Sequence, residues 1–81
     1  MKVYHVTSPK KFAKYQKEGK IKALVRAWAD VFEAVRFSYS TGRQIILRLR
    51  FPDDAARLPG HGGNAVYLTE DFEIPESLKA I

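Results

Sequence analysis

The sequence predicts an α+β fold: a single small mixed β-sheet of about four strands with two helices packed on it, in the order β-α-β-α-β-β. Three observations support this. Ile45, Leu47, Leu49 and Phe51 alternate with Arg48 and Arg50, the period of a strand with one apolar face. Two stretches open on a capping residue, carry apolar side chains at helical spacing and close on a glycine. Short runs rich in β-branched and aromatic residues precede each of them.

Taken in order, Lys2–Thr7 reads as a strand through Val3, Tyr4 and Val6. Ser8-Pro9 then starts a helix, with serine at the cap and proline at the first helical position. Phe12 and Tyr15 mark its buried side, while Lys10, Lys11, Lys14 and Lys17 mark the solvated one. Gly19 ends it. Ile21–Trp28 reads as a second strand, with Leu24, Arg26 and Trp28 on one face and Val25 and Ala27 on the other. Asp30 caps the second helix, and Glu33 stands where a capping box places its acid. Val31, Ala34 and Val35 form the apolar stripe of that helix, Phe32 and Tyr39 widen it, and Gly42 closes it. Gln44–Phe51 is the clearest strand, and Pro52 stops it. Residues 53–64 read as a loop, Ala65–Thr69 as a fourth strand and Pro75–Ile81 as a short terminal helical turn.

Eighty-one residues suit one domain spanning 1–81, and a chain of this size buries roughly 60–65% of its unfolded surface. An apolar fraction of 46% argues against disorder. The absence of cysteine removes disulfides, thiolate metal sites and cysteine nucleophiles. No apolar run approaches the ~20 residues of a membrane span, and lysines from Lys2 onward interrupt any secretory leader, so a soluble cytoplasmic protein is expected. The net charge of +5 is uneven: residues 1–22 carry seven lysines and one acid, and residues 53–77 carry six acids and one arginine. That asymmetry suits a phosphate-bearing partner, and it equally suits two solvated faces.

Five residues are candidate ligand contacts. His5 shares a strand face with Thr7 just before a helix N-terminus, where free N–H groups favour anions; the alternative is a buried imidazole hydrogen-bonded to backbone. Arg26 and Trp28 alternate on one face, and guanidinium beside indole suits a nucleobase with its phosphate; the alternative is a core tryptophan with an edge arginine. His61 sits in Pro59-Gly60-His61-Gly62-Gly63-Asn64, a loop whose glycines permit close approach of a ligand, or which simply connects two strands. Arg48 and Arg50 form a basic stripe beside Arg43 that fits a phosphate backbone or plain solvation. Spacing discloses no catalytic triad, paired carboxylates or metal ligand set.

Several stretches together resemble compact ADP-ribosyltransferase-like domains, a group that includes bacterial toxin-type enzymes and the RNA 2′-phosphotransferases. Tyr4-His5-Val6-Thr7 leads into a helix ending Glu18-Gly19-Lys20-Ile21. Ala27-Trp28, a helix with Ala34 and Phe37, and Ile45-Ile46-Leu47-Arg48-Leu49 follow. Tyr67-Leu68-Thr69 and Ile74-Pro75-Glu76 resemble the strand and tail that close such domains. The resemblance implies NAD as a cofactor, His5 and Thr7 gripping its ribose or nicotinamide, and Trp28 near the ring-binding wall. It also implies a late-strand glutamate, and Val66 stands at that position, with no acid anywhere from Arg57 to Thr69. Losing one such electrostatic contact costs about 3–4 kcal/mol of transition-state stabilisation. The expectation is therefore a degenerate relative that binds a nucleotide- or ADP-ribose-type ligand and does not catalyse.

Two other partner classes fit the same sequence. A basic nucleic-acid-binding module would use Lys10, Lys14, Lys17, Lys20 and Lys22 with Arg48 and Arg50, and stack bases on Trp28 or Tyr39. A homodimer would cover the open edges of a small sheet.

Overall fold

The computed structural model describes residues 1–81. It contains β1 (Lys2–Thr7), α1 (Pro9–Glu18), β2 (Lys20–Ile21), β3 (Val25–Trp28), α2 (Val31–Thr41), β4 (Ile45–Arg50), β5 (Ala56–Arg57), β6 (Ala65–Leu68) and β7 (Phe72–Glu73). Five strands form one sheet in the order β4-β1-β3-β6-β5, and β2 pairs with β7 as a separate ribbon. The α+β class stands, with five sheet strands rather than four.

Every strand pair is antiparallel, so the sheet is not mixed. A helix between two strands suggests a parallel crossover. Here the connection from β1 also contains β2, and the chain re-enters beside β1 running the other way. The expected strand Ile21–Trp28 is accordingly two elements. Ile21 leaves to pair with Phe72, Val25 begins the pairing with β6, and Lys22–Leu24 link them.

Alternation in β4 comes out as the pattern demands. Leu47, Leu49 and the adjoining Phe51 are buried, and Arg48 and Arg50 are exposed. Leu47, Leu49 and Phe51 join Val3, Val25 and Val66 in one contiguous core, which Ile21 of β2 and Ile74, just after β7, close. Phe12 and Tyr15 of α1 pack against that core. The opposite sheet face carries α2, which contacts β1, β3 and β4. Val6, Ala34 and Ala65 are buried there, outside the main core.

Both helices end as their caps require. Ser8 Oγ accepts from the Lys11 amide at 3.2 Å, and Asp30 Oδ1 accepts from the Phe32 amide at 3.1 Å. Gly19 adopts φ 74°, a left-handed turn open to glycine at little cost, and its N–H reaches the Tyr15 carbonyl. Glu33 pairs with Arg36 at 3.6 Å.

Three further expectations need correction. Phe32 and Tyr39 do not widen a buried stripe: they are 73% and 86% exposed, because α2 seats on the small Ala34 and turns those rings outward. The loop 53–64 contains the short strand β5. Pro75–Ile81 forms no helical turn but returns along the outer edge of β4, where Ala80 bridges Leu47 and the Ile81 amide donates to the Ile46 carbonyl at 2.9 Å. That segment covers part of an edge that would otherwise expose backbone donors and acceptors.

Candidate functional site

Strand β1 lies between two neighbours. Six register pairs join it to β4, from Lys2↔Arg50 to Thr7↔Ile45. A single pair, Tyr4↔Trp28, joins it to β3. Past that pair the seam is open, and a cleft of about 380 Å³ occupies it, a volume within the range of small-molecule sites. Its lining draws on both sheet faces, Thr7 from the core side and Trp28 from the α2 side.

His5 spans the open seam. The Arg26 carbonyl lies 2.6 Å from Nδ1 and can only accept, so Nδ1 carries the proton. Nε2 of the neutral ring is then an acceptor, and the Tyr15 hydroxyl donates to it across 3.2 Å. Thr7 Oγ1 donates in turn to the Tyr15 oxygen, a longer contact of 3.4 Å. The His5 ring is 8% exposed, and burial pushes its pKa below the ordinary 6.5. The hydrogen bond to the Arg26 carbonyl opposes that shift, and the positive charges of Lys11 and Arg43 reinforce it. A neutral imidazole at pH 7 follows.

The opposite wall is aromatic. Trp28 meets the Phe37 ring at 5.8 Å between centroids and the His61 ring edge-on at 5.4 Å. The Arg43 guanidinium lies 5.9 Å from the Phe37 centroid, within reach of a cation–π attraction. His61 is held over Trp28 by its loop. Leu58 N donates to the Ala65 carbonyl and Ala29 N to the Asn64 carbonyl, so both loop ends are tied down. Gly60 and Gly62 flank His61 at φ 86° and 60°, values that a side chain would strain.

All five candidate residues, His5, Thr7, Arg26, Trp28 and His61, line this one cleft. His5 is a buried imidazole hydrogen-bonded to a backbone carbonyl, and it also lines the hollow. Arg48 and Arg50 do not line it and lie exposed on β4. Tyr15, Lys11 and Phe37, which the sequence does not single out as contacts, line it as well, and so does Arg43, which lies here and not with Arg48 and Arg50. Tyr15 and Lys11 lie four apart on one helix face directly after β1, a spacing that could have placed both beside His5.

No aspartate or glutamate lines the cleft, whereas Lys11, Arg26 and Arg43 do, and none of these cations is ion-paired. Val66 is fully buried in the core. Asp71, one of the four acids after Thr69, accepts from the Ala23 amide at 2.9 Å and pairs with Lys20 at 3.3 Å, which holds its pKa below the ordinary carboxylate range. No cluster of three His, Asp or Glu side chains is arranged to hold a metal ion. No helix is long and apolar enough to cross a membrane. The site is thus a positively charged hollow with an aromatic wall, suited to an anion that carries a ring.

Comparison of the chain with protein-family models, with curated proteins and with solved structures returned no match. The functional reading therefore rests on the residues and their geometry.

Proposed function

We propose that this domain is a binding module for a nucleotide- or ADP-ribose-type ligand, held in the open seam between β1 and β3, and that it does not catalyse. The observation that carries this reading is the composition of one cleft: three unpaired cations, an aromatic wall and no carboxylate. Arg26, Arg43 and Lys11 would take the phosphates, with Arg suited to bidentate contact. Trp28 and Phe37 would take the ring by stacking. His61 would hydrogen-bond a sugar hydroxyl at the exposed rim, and Thr7, buried on the first strand, would act on the ligand through the Tyr15 hydroxyl it donates to.

The reading includes kinship with ADP-ribosyltransferase-like domains, supported by His5 and Thr7 on the first strand beside the cleft. NAD offers the same rings and phosphates as ADP-ribose, so the lining suits it as a ligand. Cleaving its glycosidic bond would develop positive charge on a sugar, and three cations with no acid oppose that charge. NAD would be held and left intact.

Isothermal titration with ADP-ribose and NAD tests the proposal. The expected result is saturable one-site binding to the wild type and loss of at least roughly tenfold in affinity for Arg26→Ala, as a charge-assisted contact implies. No heat with either ligand would refute the binding role. Turnover of NAD above the buffer rate would refute the claim that the domain is non-catalytic.

A further inference from the structure

A second hollow of about 270 Å³ opens beside the cleft, between α1 and the segment joining β2 to β3. Lys11, Tyr15 and Leu24 line both, so the two hollows lie side by side as a paired trough along α1. Lys14, Glu18 and Lys22 complete the second part. Residues 11, 14, 15 and 18 recur at three- and four-residue spacing and make one stripe along α1. Three lysines therefore face a single acid, and none of them has an ion-pair partner. Lys11 and Lys14 are like charges one turn apart, which destabilises a helix, and Glu18 offsets only part of the three positive charges, so an anion bound between the lysines would relieve the rest.

We infer that the trough takes the end of a single nucleic-acid strand, an inference that rests on the nucleotide reading of the cleft. The terminal nucleotide occupies the cleft with its ring against Trp28 and Phe37, and the following phosphates run past Lys11 to Lys14 and Lys22. The helix advances about 4.5 Å from Lys11 to Lys14 at 1.5 Å per residue. Lys22 stands on the facing bank, so the backbone is gripped from two sides. A stacking platform joined to a basic groove that tracks a backbone is how sequence-tolerant single-strand sites are built. A lone mononucleotide would leave the lysine half of the trough empty. A duplex could not enter, because its rings are already paired and stacked.

Trp28 is the only tryptophan, so its fluorescence reports occupancy of the cleft directly. The experiment titrates the full chain with AMP, with a 5′-phosphorylated tetraadenylate and with a blunt-ended duplex, each at several salt concentrations. The tetranucleotide is expected to bind at least roughly tenfold tighter than AMP at low salt and to weaken more steeply as salt rises. In Lys14→Gln/Lys22→Gln that advantage should vanish and the salt slope should fall by about 1.4, at ~0.7 per phosphate contact on a single strand. AMP binding should stay unchanged. If AMP quenches Trp28 and the tetranucleotide binds no better, the strand inference is wrong and the nucleotide reading survives. The same holds if the double variant keeps the advantage or if the duplex binds as tightly. If neither AMP nor the tetranucleotide alters the fluorescence, both readings fail.

Discussion

The two seams of β1 are built in opposite ways. Toward β4 it is closed by a full antiparallel ladder, with Leu49 opposite Val3 and Leu47 opposite His5. Toward β3 it is closed at Tyr4↔Trp28 and open beyond. Backbone groups released on an open seam must find other partners. The Arg26 carbonyl accepts from the His5 imidazole, whose other nitrogen then accepts from the Tyr15 hydroxyl, and the Tyr15 oxygen in turn accepts from Thr7 Oγ1. A gap in the ladder thus becomes a polar-lined hollow. One strand serves as the spine of the core on one side and as the wall of a receptor on the other.

Substitutions on the two seams should separate these roles. Leu47→Ala strikes the closed seam at a fully buried position and is expected to cost about 2–5 kcal/mol in urea denaturation, from lost transfer energy and the cavity left behind. A cost below about 1 kcal/mol would mean that this seam is not the spine. His5→Ala strikes the open seam. It orphans the Arg26 carbonyl and removes the partner of the Tyr15 hydroxyl, and is expected to cost about 1–3 kcal/mol. Unchanged stability would show that the seam does not depend on the imidazole. Tyr15→Phe removes one hydroxyl from the chain, for an expected loss of about 0.5–1.5 kcal/mol measured the same way.

The open seam should also respond to pH. Burial holds the pKa of His5 below the ordinary 6.5, so on acidification the unfolded chain takes up this proton before the folded one does. The stability contributed by the neutral ring is therefore complete above about pH 6.5 and declines as pH falls toward the folded-state pKa. The urea midpoint of the wild type should drop in this window, and His5→Gln should lack that component. An equal drop in both proteins would assign it elsewhere. Asp71 acts at lower pH: its carboxylate is held below the ordinary 3.8, so its contribution is present above that value and lost only as pH falls further. The smallest effect is expected from Tyr39→Ser on α2, within about 0.5 kcal/mol, since the ring is 86% exposed. A larger loss would show that this ring is covered in solution.

Local chemistry made part of this architecture readable in advance. Ser8, Pro9 and Gly19 bracket α1, Asp30 and Gly42 bracket α2, and the alternation of Leu47, Arg48, Leu49 and Arg50 fixes the facing of β4. Five of the residues that line the cleft, His5, Thr7, Arg26, Trp28 and His61, stand out in the sequence because their chemistry is unusual for a strand or a glycine loop. Other features depend on contacts distant in sequence. β2, β5 and β7 have two residues each, too few for any period, and exist only through their partners. Nothing local tells the sense of a strand pair, so the antiparallel return of β3 leaves no mark in the sequence. Apolar periodicity shows that α2 has a stripe but not which edge of it meets the sheet, hence the outward Phe32 and Tyr39. Tyr15 looked like a core aromatic, and its ring does pack there, but its hydroxyl belongs to the site.

The most direct measurement is a heteronuclear NMR titration of the uniformly labelled chain with ADP-ribose, following the Trp28 indole N–H, the His5 ring nitrogens and the Arg26 and Arg43 side chains together. Saturable shifts that share one dissociation constant are expected at all four, with Arg48 and Arg50 unmoved. Shifts confined to Arg48 and Arg50, or none at all, would contradict the claim that the gap between β1 and β3 is a receptor.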